Sequence, residues 1–107
     1  QKAKGDRAEL EVERLIRDLT GFPARRKLGA GRADDMGDID GVPSTTIQVA
    51  NYSDLVRGIR EKVPGCVEQQ ARAGATFGAT FLRRRGGQWI VVLTPAQWAT
   101  YCREAVS

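Results

Sequence analysis

Gly37-Asp38-Ile39-Asp40-Gly41-Val42-Pro43-Ser44-Thr45-Thr46-Ile47-Gln48-Val49-Ala50 is the stretch on which the fold turns. It reads as two short strands joined by a tight turn at Pro43, since β-branched residues cluster on both sides of a Gly-Val-Pro-Ser break. Side chains alternate across a strand, so Ile47 and Val49 share one face and Thr46, Gln48 and Ala50 share the other. The first face is apolar. The second carries a polar group, and Asp38 stands at the start of the neighbouring strand.

Working outward, Ala8, Val12, Leu15, Ile16 and Leu19 recur at the spacing of one helix stripe. This predicts a helix over about residues 4 to 20, closed by Gly21 and Pro23. Glu9 and Glu11 each fall roughly 80° from the centre of that stripe, so both can look into a cleft at the core's edge, whereas Arg14 points away. Arg25-Arg26-Lys27 follows as an exposed strand, and residues 29 to 37 form a loop containing Arg32, Asp34 and Asp35.

Beyond the second strand, residues 52 to 74 have helical character with an expected break at Pro64-Gly65. Residues 75 to 82 read as a strand, Arg83-Arg84-Arg85-Gly86-Gly87 as a hairpin turn, and Trp89 to Leu93 as the return strand. Thr94 followed by Pro95 is a helix-start signature. Trp89 and Trp98 both fall in apolar-periodic segments and are expected in the core. The order predicts a single α/β domain with a mixed central β-sheet flanked by helices, and 107 residues suit one core.

Composition narrows the chemistry. The chain is 41% hydrophobic, enough to bury an interior, and its net charge of +4 permits a polyanionic partner without demanding one. With no His at all, His-dependent triads are excluded and a structural zinc site effectively so. Cys66 and Cys102 are far apart and read most simply as free thiols, with one disulfide as the alternative. A start at Gln1 rather than Met suggests a processing boundary. No signal-peptide pattern or apolar run of about 18 residues occurs, so the expected location is cytoplasmic and no membrane is expected. Any hydrolysis must therefore use carboxylates and a metal.

Asp34, Asp35, Asp38 and Asp40 form the acidic cluster. An EF-hand register fails, because Gly41 at the sixth loop position puts Met36 at the first and Ile47 at the twelfth. A solvated acidic turn is one reading. In the other, Asp38 at a strand start, an oxygen ligand on the paired strand and a helix Glu form an oxygen cage for a divalent cation.

Lys4-Gly5-Asp6-Arg7-Ala8-Glu9, Gly37-Asp38-Ile39-Asp40-Gly41 and Ile47-Gln48-Val49-Ala50-Asn51, in that order, resemble the PD-(D/E)XK nuclease superfamily. Within it the chain is most similar to archaeal-type Holliday-junction resolvases and their phage relatives. The motifs are short, and their specificity lies in order and spacing across most of the chain. The resemblance implies a restriction-endonuclease-like fold and a metal-dependent, structure-specific DNA endonuclease. It implies Mg²⁺ or Mn²⁺ held by Glu9, Asp38 and Gln48, branched or junction DNA as partner, and a homodimer with two equivalent sites.

Where the family carries its lysine, this chain has Ala50. Three accounts stay open: the lysine was replaced, its role passed to Arg57, Arg60 or Lys62, or the protein is a catalytically silent DNA-binding module that kept the fold. If DNA binds, Arg25, Arg26, Lys27, Arg32, Arg83, Arg84 and Arg85 are the expected phosphate contacts, although the arginine tip also reads as a solvated turn. Glu68-Gln69-Gln70 can face the cleft or the solvent.

Overall fold

The apolar stripe read from the first helix is the one that packs. In the computed structural model, which describes residues 2–27 and 38–107, α1 runs Lys2–Thr20 and buries Ala8, Val12 and Ile16. They meet Ala24, Ile39, Ile47 and Val49 in one cluster, with Val42, Phe81 and Trp89 against its edge. Burying a Val or Ile side chain contributes about 1.5–3 kcal/mol, so Val12 and Ile16 anchor α1 to the sheet. Leu19, assigned to the same stripe, is 76% exposed instead.

Five strands lie side by side in chain order: β1 (Arg25–Arg26), β2 (Ile39–Asp40), β3 (Thr45–Ala50), β4 (Phe77–Arg83) and β5 (Trp89–Val92). All neighbours are antiparallel except β3 and β4, which run parallel and are joined by α2 (Leu55–Ala73). A parallel pair needs such a crossover, and the helix covers the face opposite α1. The Cys66 thiol of α2 donates to the carbonyls of Thr46 and Ala79. Both cysteines are free, Cys66 buried and Cys102 exposed.

The expected break at Pro64 does not occur: α2 is continuous from Leu55 to Ala73. Proline withdraws one backbone donor from the carbonyl four residues earlier. Arg60 and Pro64 are both exposed, so that carbonyl lies on the water side and the helix tolerates the loss. Asp54 caps the N-terminus by accepting from the Arg57 N–H at 3.2 Å, and Gly74 in the left-handed region closes the other end.

Two glycines are required by their surroundings. Gly41 has φ +94, and a Cβ there would run into the Pro23 carbonyl, so the glycine of the Asp-Ile-Asp-Gly stretch serves the close passage of the β1 entry. Gly78 on β4 leaves room for Gln97 to donate to Gln70 at 3.0 Å, tying the last helix to α2. The last helix, α3 (Pro95–Ala105), starts with the full capping box, Thr94 and Gln97 satisfying each other. Trp89 is half-buried as expected, but Trp98 is 61% exposed and lies outside the core.

Candidate metal and DNA site

Asp38 and Gln48 come together through the β2–β3 pairing. Ile39 pairs with Ile47, and the Asp38 N–H donates to the Ile47 carbonyl at 2.7 Å. The next inward N–H of β3, that of Val49, donates to Asp38 Oδ2 at 2.8 Å. A side-chain carboxylate has taken the place of a backbone carbonyl in the ladder, so the strands part here and Asp38 is held at the opening. Charge-assisted bonds of this kind are among the stronger ones.

Gln48 emerges on the α2 face and is only 4% exposed, yet its Oε1 has no hydrogen-bond partner among the described residues. Its register partner on β4, Thr80, is fully buried, and its Oγ1 is likewise without a partner. Buried oxygens are normally satisfied, because leaving one unpaired costs about 1–3 kcal/mol. Two of them side by side mark a place where something polar belongs. The Gln48 face follows from strand alternation, but nothing in the local pattern reveals Thr80 as its neighbour.

Glu9 is buried on α1 beside Ala8, at the foot of the cluster that contains Ile47 and Val49. Glu11, the other acid weighed for the cleft, is committed elsewhere: Trp89 Nε1 donates to it at 3.0 Å and Arg83 Nε lies 3.4 Å away. The structure thus separates two acids that the helical wheel leaves equivalent. Ala50 is 2% exposed and pairs with Leu82, so position 50 points into the same α2-facing layer as Gln48.

No three residues among His, Cys, Asp and Glu lie together among the described residues. Asp38 and Gln48 meet at this opening, and the orphaned amide oxygen is of the kind that fits a hard, oxygen-preferring cation, whereas Glu9 sits on α1, which packs the sheet face opposite that of Gln48. Asp40, by contrast, is exposed and pairs with Lys27 at 3.7 Å. Asp34 and Asp35 lie outside the described residues.

The basic residues divide. Arg83, Arg84 and Arg85 line a groove of about 460 Å³ with Tyr52, Ser53, Asp54, Leu55 and Val56. This groove lies at the C-terminal ends of the parallel strands, directly beyond Ala50 and Leu82, where α/β sheets open their crevices. Arg84 and Arg85 are exposed, while Arg83, expected at a free tip, ends β4 and is drawn to Glu11. Arg25 is exposed; the Arg26 N–H donates to Glu13 at 2.8 Å. That bond, with Arg17 beside it, holds the Glu13 carboxyl below its usual range against the opposing effect of burial. Arg32 lies outside the described residues. Of the middle-helix trio, Gln69 is buried, Gln70 half-buried and Glu68 exposed.

Comparison of the chain with protein-family models, curated proteins and solved structures returned no match. No described helix is long and apolar enough to cross a membrane.

Proposed function

We propose that this chain is a metal-dependent endonuclease acting on branched DNA, of the restriction-endonuclease-like kind and working as a homodimer. The observation that supports the reading best is the parting of β2 and β3, where the Asp38 carboxylate stands beside a buried Gln48 oxygen that no described group satisfies. Glu9, Asp38 and Gln48 would hold Mg²⁺ or Mn²⁺. Bound there, the ion supplies charge neutralisation on the phosphate and a more acidic water.

The chain's own residues do the remaining work. The Val49 N–H fixes the orientation of Asp38. Arg84 and Arg85 offer exposed guanidinium groups to the DNA backbone next to the opening, giving affinity without sequence readout. Two copies related by a two-fold axis would present two such sites to two strands of a junction.

The test is cleavage of four-way junction, flap and linear duplex DNA with Mg²⁺, Mn²⁺ or EDTA. Metal-dependent cuts near the branch, absent from linear duplex, are expected. Junction binding with no cleavage under any condition would favour the silent DNA-binding module, an outcome consistent with the buried methyl group at position 50.

A further inference from the structure

We infer that the groove at the C-terminal ends of β3 and β4 takes one unpaired nucleotide of DNA, an inference that rests on DNA being the partner in the reading above. The phosphate goes to the arginines and the base to the opposite wall. The groove follows from the parallel pairing. Ala50 and Leu82 are register partners, so the chain leaving β3 and the chain leaving β4 emerge side by side at one edge of the sheet. Each supplies one wall. Arg83, Arg84 and Arg85 make the cationic wall and Tyr52, Leu55 and Val56 an apolar one, enclosing about 460 Å³.

Both walls are held in place before any ligand arrives. The arginine turn is closed by two backbone bonds: the Arg84 N–H donates to the Gln88 carbonyl at 2.7 Å, and the Gly87 N–H to the Arg84 carbonyl at 3.0 Å. Arg83 Nε lies 3.4 Å from the Glu11 carboxylate, which leaves Arg84 and Arg85 as the exposed pair. On the other wall the Tyr52 hydroxyl donates to Glu61 at 3.0 Å, and the Arg57 guanidinium stands 5.9 Å from the ring centroid. Gly58 packs so closely that an added Cβ would lie 3.4 Å from Tyr52 Cβ. A wall already ordered loses little freedom on binding. Val56, beside it, is 63% exposed and lies outside the core.

The two walls together select the ligand. A bare inorganic anion would leave the apolar wall in water, and a hydrocarbon would have to strip water from guanidinium groups. An acidic peptide satisfies the arginines but brings no flat ring. Duplex DNA keeps its bases stacked inside and offers this edge only phosphate and sugar. An unpaired nucleotide carries an anion and a flat ring one sugar apart, the pair of features that single-strand grooves bind by charge and base contact together. Asp54, the one acid in the lining, lies on the α2 side, where it accepts from the Arg57 N–H. Its charge repels phosphate from that wall and so sets the direction: phosphate to Arg84 and Arg85, base to Tyr52 and Val56. Unpaired nucleotides occur where strands part, so the groove would hold branched DNA at the feature that linear duplex lacks.

The test is fluorescence anisotropy in EDTA, where nothing is cut, with a labelled oligo-dT strand, an abasic strand of the same length and a duplex. Wild type is expected to bind the dT strand about tenfold tighter than the abasic strand, which has the same phosphates but no bases. Charge alone predicts no such gap, and it favours duplex over either strand. Val56→Asp, at an exposed position, should keep the melting temperature and close the gap between dT and abasic strands. Joint replacement of Arg84 and Arg85 by Ala should weaken both strands alike. In an amide NMR titration, dTMP should shift residues 52–56 and 84–85 first. Equal affinity for dT and abasic strands, or displacement of the dT strand by polyglutamate as readily as by unlabelled oligo-dT, would overturn the nucleotide site. Either result leaves the nuclease reading to the cleavage assay. A wild type that binds no DNA of any form would overturn both.

Discussion

Replacing Gln48 with Met should make the metal-free protein more stable and end its response to Mn²⁺. Gln48 is 4% exposed, and its Oε1 has no partner among the described residues. An unsatisfied buried oxygen costs about 1–3 kcal/mol, and no hydrogen bond of the Gln48 amide to a described residue would be lost with it. Met is unbranched and close to Gln in volume, so overpacking should cost little. A gain of about 1–2 kcal/mol follows, which for a domain of this size raises the melting temperature by roughly 5–10 °C. The assay is thermal and urea denaturation in EDTA, repeated with excess Mn²⁺. Wild type at a hundredfold excess over its Kd should gain about 2.7 kcal/mol from the ion, and the variant almost none. A variant that is destabilised by 1 kcal/mol or more in EDTA, or that still gains from Mn²⁺, would refute the reasoning.

The neighbouring residues give further predictions. Thr80→Val removes the other unpartnered oxygen without changing shape, so it should leave stability unchanged or raised, measured by the same melts. Asp38→Asn keeps an acceptor for the Val49 N–H and should lose Mn²⁺ affinity with little loss of stability. Asp38→Ala should lose both, the latter by about 1.5–3 kcal/mol; calorimetry and melting separate the two. Joint replacement of Arg84 and Arg85 by Ala should lower the slope of log affinity for junction DNA against log salt by about 1.8, whereas Arg83→Ala, drawn to Glu11, should change it less. Glu13 has a folded-state pKa below 4.5, so the stability it contributes is present above that value and fades as pH falls through the lowered one. The acid-unfolding curve of Glu13→Gln should accordingly be shallower below about pH 4.5.

The parts of the fold written in local periodicity were legible before any coordinates. The Ala8-Val12-Ile16 stripe, the Thr94-Pro95 start and the alternation that puts Gln48 and Ala50 on one face all rest on interactions within a few residues. Pro64 misled because a rule about a missing donor says nothing of whether the orphaned carbonyl faces water. Leu19 and Trp98 misled because periodicity marks an apolar face but not whether anything covers it. Glu9 and Glu11 were equivalent on the wheel, and only Trp89 and Arg83, more than seventy residues away in the chain, divide them. The neighbourhood of Gln48 was hidden for the same reason, since Thr80 reaches it through a parallel pairing that a crossover helix makes possible.

The account turns on whether Glu9, Asp38 and Gln48 share one ion, and anomalous diffraction at the manganese edge from Mn²⁺-soaked crystals measures that directly. A single strong peak within coordination distance of oxygens from all three residues is the predicted result. A peak held by exposed acids such as Asp40, with Gln48 Oε1 still unpartnered, would contradict it.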